Sequence, residues 1–453
     1  MSVIDAETLA SRVHGEVLTP VMAAFPAAHA GFNLAEVHAP DVVVRPADTQ
    51  DVRTAVRAAA SAGIPVRVQA TGHGKGRAMN GGMLIATDRL RQVQVDPVAR
   101  TVRAAAGARW SDVLSAAAQH HLTGLCGSAP DVGVVGYTLG GGMGPMARTF
   151  GFNADLVRTI ELVDAEGHLR QVTAESEPEL FWALRGGKPH VGVVTAIELG
   201  LVDVPVYFGG AIFYPGERAA EVLHTFRQWA PTLPTTTTTS IALLRLPDDP
   251  TVPEPLRGQL SVHLRYVHVG EPARGARLLA PMRQTVPPVV DLVDLYPAEA
   301  IGSVHQDPTD PVPARERGVL LADLTAETVD RLLAVAGPGQ DLPLVVVELR
   351  LMGGAIRTPP PSGSAVGGRA GAYHLFVVGI CPPPLREAVD GATGAVLAAV
   401  APWTTGGTLI NFQGVATTPA QVRSAWPGDL RRRLDRVTRT WDPDGLFQFA
   451  YPA

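Results

Sequence analysis

The sequence predicts an α+β protein built from two unlike parts, and three observations carry that expectation. Up to about residue 203, short β-rich runs alternate with helical runs and with loops of small residues. Beyond Val204–Tyr207 the β-rich runs lengthen, as at Gln259–Val267, Val345–Met352 and Tyr373–Ile380. Helical runs at 217–229, 273–284, 326–336 and 384–400 separate them, which implies one large sheet covered on one face.

Residues 1–40 are Ala-rich and read as a helix and an entry loop. Val42–Val44 reads as a strand, followed by a cap candidate at Thr49 and a helix over Val52–Ala62 that stops at Gly63. Short strands are expected at Val66–Val68, Met83–Ile85, Val93–Val95 and Val102–Ala104. Ser111 could cap a helix running to about His121. Ile160–Val163 and Leu169–Val172 flank Asp164-Ala165-Glu166-Gly167, the pattern of a hairpin. Ser176 opens a helix with Glu177 and Glu179 at its positive end and Gly186-Gly187 at its close; Val191–Leu199 follows as a strand. In the second part, 248–255, 307–314 and 358–363 read as surface connectors, and the threonine run 235–239 as a strand entry.

Bulk properties narrow the function classes. The chain has 453 residues, 46% apolar and 18% charged, as expected of a soluble globular protein with two or three domains. A net charge of −5 gives no reason to expect nucleic acid or an anionic membrane as partner. The N-terminus does not read as a signal peptide and no run approaches a spanning helix, so a cytoplasmic location is expected. Cys126 and Cys381 are too few for a disulfide framework or a thiolate metal site, and no His-x-x-x-His spacing occurs, so no metal is expected.

Two loops stand out. Val66-Arg67-Val68-Gln69-Ala70-Thr71-Gly72-His73-Gly74-Lys75-Gly76 runs from a strand into a turn of small residues with one imidazole at its tip. Its glycines let backbone N–H groups converge on an anion such as a pyrophosphate. Gly127–Gly144, with Gly140-Gly141-Gly142-Met143-Gly144, offers a second cradle, and two cradles suggest a dinucleotide held from both sides. Either loop alone also reads as a plain chain reversal.

Together with "Arg-Pro-Ala-Asp-Thr-Gln-Asp-Val" at 45–52, "Phe-Trp-Ala-Leu-Arg-Gly-Gly" at 181–187, "Gly-Val-Val-Thr" at 192–195 and "Trp-Asp-Pro-Asp-Gly-Leu-Phe" at 441–447, these loops resemble the berberine-bridge-enzyme-like FAD oxidoreductases. That group belongs to the vanillyl-alcohol oxidase / p-cresol methylhydroxylase (PCMH) superfamily and includes 6-hydroxynicotine oxidase. The resemblance implies a PCMH-type FAD-binding domain over 1–203, a substrate domain with a large antiparallel sheet flanked by helices over 204–404, and a C-terminal return to the FAD-binding domain over 405–453. It implies that FAD is attached covalently through His73, which stands where the family carries a flavin-linked histidine; read alone, His73 is a turn histidine bonded to backbone. Many relatives have a second, cysteine anchor. Ala129 stands at that position, Cys126 lies three residues upstream, and a single attachment is therefore expected.

By the same resemblance, the cofactor meets Gln69, Ala70, Thr71, Gly72 and Gly74 in the first loop. In the second it meets Ser128, Asp131, Val132, Gly136, Tyr137, Gly140, Gly141, Gly142 and Gly144, with Val194 and Asn411 beyond. The residue aligned with Val132 controls dioxygen access in some relatives, and a small side chain there points to an oxidase. Gly187-Lys188-Pro189-His190-Val191-Gly192 departs from the family's usual loop. Lys188 and His190 read either as surface substitutions or as groups that tune the flavin's surroundings.

Period-two alternation puts Val346, Glu348, Arg350 and Met352 on one face of a strand. Charges on an otherwise apolar strand need a partner or a wet pocket, so the pair reads as an ion pair or as substrate machinery. The relatives' aligned strand faces the flavin, which makes Glu348 the leading general base and Arg350 a holder of an acidic or enolate-like group. Tyr137 could take the proton or simply pack. The family's catalytic tyrosine is replaced by Leu409, while Asn411 keeps an amide able to bond substrate or flavin. The expected activity is hydride abstraction from a C–O or C–N carbon of a small organic substrate of natural-product type, with dioxygen as acceptor, in a monomer or homodimer. The alternatives are a flavin-dependent oxygenation, rearrangement or cyclisation, or a flavin-free binding relative.

Overall fold

The computed structural model describes residues 4–74, 76–416 and 418–447. Three sheets organise them. A four-stranded sheet runs Glu16–Leu18, Val42–Arg45, Met83–Ala86, Val66–Gln69; its first pair is antiparallel and the others parallel. An antiparallel five-stranded sheet runs Val93–Asp96, Thr101–Ala105, Val193–Gly200, Val157–Val163, Leu169–Val172. The third is antiparallel and eight-stranded, along Val290–Asp291, Val206–Pro215, Leu260–His268, Thr237–Arg245, Val346–Leu351, Tyr373–Ile380 and Ala314–Leu321, with Asp294–Pro297 also on Val206–Pro215.

The helix after the first long strand spans Thr49–Ala62 and ends on left-handed Gly63, as the sequence predicts. Its cap is Asp48 rather than Thr49: the Asp48 carboxylate accepts the Asp51 N–H at 2.9 Å. Buried Asp51 in turn accepts the N–H groups of His14, Gly15 and Ala47 at 2.8–2.9 Å, which explains the Arg45–Val52 landmark as a folding device. The hairpin at 164–167 forms, with Asp164 accepting from the N–H of Glu166 and His168. Ser176 does not cap; its hydroxyl accepts from Thr173 N–H and the helix spans Pro178–Leu184. Likewise Trp110–Ala118 starts behind Arg109, not Ser111.

The C-terminal landmark works at long range. Asp442 accepts the N–H groups of Leu446 and Phe447 at 2.8 and 2.9 Å, and this turn lays Phe447 beside Val66, where the strand to His73 begins. A buried phenylalanine is worth about 1.5–3 kcal/mol, so the end of the chain helps fix the base of the His73 loop.

Helices Ala219–Trp229, Pro272–Thr285, Ala326–Ala336 and Arg386–Val400 pack on one face of the eight-stranded sheet, over Ile241, Leu243, Leu264, Val347, Leu349 and Leu375. Alternation therefore sends Ser240, His263, Arg265, Glu348, Arg350 and His374 to the other face, toward the glycine loops. No helix among the described residues is long and apolar enough to cross a membrane.

Candidate active site

The first loop leaves the strand Val66–Gln69 and is pinned from outside: Phe32 N–H donates to Thr71 O at 2.8 Å and Asn33 N–H to Gly72 O at 3.1 Å. Gly72 has φ +73°, a conformation that glycine alone takes at little cost. The His73 ring stacks on Phe32 at 3.9 Å and 11°. Thr71 Oγ1 joins the two loops, accepting the Gly133 N–H at 3.2 Å and lying 2.9 Å from His73 Nδ1. Burial, reinforced by the Arg109 cation, pushes the His73 pKa down to about 4, so the ring is neutral at physiological pH. Its Nε2 is buried and has no partner. With the proton on Nδ1 and donated to Thr71, the Nε2 lone pair is free to form a bond.

Gln69 is 7% exposed and its Oε1 is likewise buried without a partner. Ala70 packs against Gly133, and Asp131, held by Arg109 at 3.2 Å, faces the same junction. Ser128 and Val132 are half-buried on the second loop. FAD fits this set: a neutral imidazole with an unpartnered Nε2, the orphaned Oε1 of Gln69, and an apposed pair of loops bounded by small residues.

The glycines of the second loop serve the protein itself. A Cβ on Gly142 would overlap the Tyr137 ring, one on Gly144 the Cys126 carbonyl, and one on Gly140 the Asn411 amide. Gly141, at φ +104°, closes on Val366 and Phe152. Gly136 is exposed on the helix Val134–Leu139 with nothing near its Cα, and Val194 packs in the apolar core with Val134 and Val135. Cys126 is buried, and burial pushes its thiol pKa up, as suits a packing residue.

Three catalytic assignments change. Glu348 is 1% exposed and fully engaged: Arg265 Nη1 lies 2.6 Å and Arg350 Nη2 2.8 Å from its oxygens, and Ser240 Oγ donates at 2.5 Å. Burial alone would raise its pKa, but the Arg265 and Arg350 cations hold it well below the usual carboxylate range, which makes it a poor base. Tyr137 is no better, because burial pushes its phenol well above the ordinary value and Gly127, Gly142 and Gly144 wrap its ring. Asn411 donates its amide to Tyr137 O at 2.8 Å, so it staples the segment Ile410–Phe412 to the second loop. Arg350 lies over Phe412 at 4.9 Å.

Lys188 is not a surface residue. It takes left-handed φ (+43°), and its side chain runs from Gly140 toward Gly74, between the two loops. Burial lowers its pKa to about 8. His190 is half-buried and is pushed to about 3 by burial and by Arg67 and Lys188.

Sequence reasoning missed Arg265, His305 and Glu316. The run Ser261-Val262-His263-Leu264-Arg265 carries the same period-two polar signal that exposed Glu348 and Arg350. His305 follows a short turn, Ala298–Val304, with no periodicity to reveal it. Glu316 lines a small pocket with His73, Asn33 and Gly414, and burial raises its pKa to about 7. Because that pKa lies above the unfolded value, its contribution to stability is fully present below about pH 4.5 and is lost as pH rises through 7. Glu316→Gln should therefore match the wild type near pH 5 and exceed it near pH 8 by about 2 kcal/mol, measured by urea unfolding at both pH values.

Residues 40–173 match a family model described as an FAD binding domain, which makes the chain a flavoprotein. It is 25% identical to the uncharacterized FAD-linked oxidoreductase YgaK of Bacillus subtilis, across 97% of this chain and 96% of that one. It is 31% identical to (R)-6-hydroxynicotine oxidase of Paenarthrobacter nicotinovorans over 195 residues, a match that spans 43% of either chain and so less than half of that enzyme. The structure of Physcomitrella patens BBE-like 1 superposes with a TM-score of 0.83 at 19% identity, covering 98% of both chains. The chain is thus similar in sequence to FAD-linked oxidoreductases and shares the fold of the berberine-bridge-enzyme-like structure.

Proposed function

We propose that this protein carries FAD attached through His73 alone and oxidises a C–O or C–N carbon of a small organic molecule, with dioxygen as the final acceptor. The observation that carries the reading is the neutral, partnerless Nε2 of His73 between the two loops. When bound, FAD supplies a two-electron acceptor for hydride abstraction. Phe32 and Thr71 orient the imidazole, and Lys188 supplies a cation between the loops. The polar face around Arg265 and Arg350 positions the substrate, and fixed geometry of that kind supplies much of a catalyst's rate. Proton removal falls to His305, to Glu316 or to water, since Glu348 and Tyr137 are unsuited to it.

Denaturing, acid-precipitating and washing the purified protein should leave it yellow and fluorescent on a gel; a colourless pellet would refute the attachment. Anaerobic addition of a true substrate should bleach the bound flavin. Turnover without bleaching would instead favour an oxygenation, rearrangement or cyclisation. Enlarging Val132 to leucine should slow reoxidation of the reduced protein by dioxygen by about tenfold, or ~1.4 kcal/mol, in stopped-flow traces, with anaerobic reduction unchanged. Equal reoxidation rates would remove Val132 from the oxygen path.

A further inference from the structure

The face of the large sheet that looks toward the glycine loops carries more cation than anion. Arg265 and Arg350 stand opposite Ser240 on its two neighbouring strands, and both guanidiniums bond the single carboxylate of Glu348. The three side chains are 5%, 12% and 1% exposed. Of the histidines around them, His305 lies 3.7 Å from Glu348, and burial keeps it and His263 toward the neutral form. Glu316, on a strand further along, forms no ion pair with Arg350 among the described residues, and with its pKa raised by burial to about 7 it is only partly ionised at neutral pH. Among the groups in direct contact two cations therefore share one anion, an arrangement that is costly unless a further anion completes it.

Arg265, Arg350, Ser240 and His305 line a half-open pocket that Met143 and Pro145 of the second glycine loop also border. Arg265 spends Nη1 on Glu348, while its Nε is buried and unpartnered, as is Nδ1 of His305. The free edge of a guanidinium is the geometry that takes a carboxylate through two parallel hydrogen bonds. We propose that the cavity recognises a carboxylate, so that the substrate is a small organic acid anchored on Arg265 and Arg350. A second carboxylate there converts two cations and one anion into a balanced cluster. The inference rests on reading this cavity as the substrate side of the flavoenzyme proposed above.

Calorimetric titration of the FAD-loaded protein with phenylacetate and hexanoate, against phenylacetamide and hexanamide, tests it. Each acid should bind at least about tenfold more tightly than its amide. Arg265→Met, which leaves the Glu348–Arg350 pair intact, should bring that ratio close to one. If Arg265→Met fails to fold, Arg265→Lys keeps the charge and loses the two-point edge, and should weaken the acids while sparing the amides. A wild-type ratio near one, or a ratio unchanged in the folded variant, overturns the proposal. So does displacement of the acids by chloride with no acid binding better than chloride, which means an adventitious ion only. Repeating the titration on flavin-free protein separates the two readings. Preference for acids in a protein that never takes flavin upholds the anion site and sinks the oxidoreductase, whereas a yellow protein indifferent to charge does the reverse.

Discussion

His73→Ala protein should emerge with no colour left on its denatured chain and with flavin that leaves on gel filtration. The expected loss of turnover is at least about tenfold in kcat even with FAD in excess, since on the proposed attachment the substitution would remove the bond that holds the flavin and raises its reduction potential. The geometry makes the effect specific. Thr71 and Phe32 hold the imidazole in one orientation, and its buried Nε2 has no protein group to meet. Thr71→Val should give a partial version, with a smaller fraction of chains attached. Ultraviolet fluorescence of a denaturing gel reads both variants. Full covalent loading in His73→Ala would move the anchor elsewhere in the chain.

The second large effect is on stability. Glu348→Ala should destabilise the fold by about 3–5 kcal/mol in urea titration, because it leaves two buried guanidiniums facing each other without their shared anion. Tyr137→Phe is the control; its hydroxyl is buried without a partner, so its removal should change stability by no more than ~0.5 kcal/mol. The sign of the pKa shift also bears on catalysis. With its carboxyl held well below the usual range, Glu348 stays ionised throughout the neutral pH region and contributes no limb to a pH–rate profile there. A Glu348→Ala protein as stable as the wild type would mean that the cluster carries no folding energy.

What the sequence revealed follows from how locally each feature is encoded. Alternation along Val346–Met352 was enough to put Glu348 and Arg350 on the face opposite the helices, because a strand leaves a side chain only two directions. It could not assign the carboxylate's job, which depends on Arg265, 83 positions away and brought in by a neighbouring strand. The helix Val134–Leu139 was illegible for a related reason. Its β-branched and glycine residues are poor helix formers, and tertiary burial of Val134, Val135 and Thr138 holds it in place. The glycine run reads as a surface for a cofactor, and only the folded chain reveals that its bare Cα atoms also make room for Tyr137 and Asn411. Lys188 reached the interior through a left-handed backbone turn that no propensity anticipates.

Intact-mass and peptide mapping of the denatured protein tests the central claim most directly. Cleavage after Arg67 and Lys75 releases residues 68–75, whose one histidine is His73. This peptide should carry the mass of one FAD, with every other peptide unmodified. An unmodified 68–75 peptide from protein purified with its flavin, or the added mass on a peptide containing Cys126, would contradict the account.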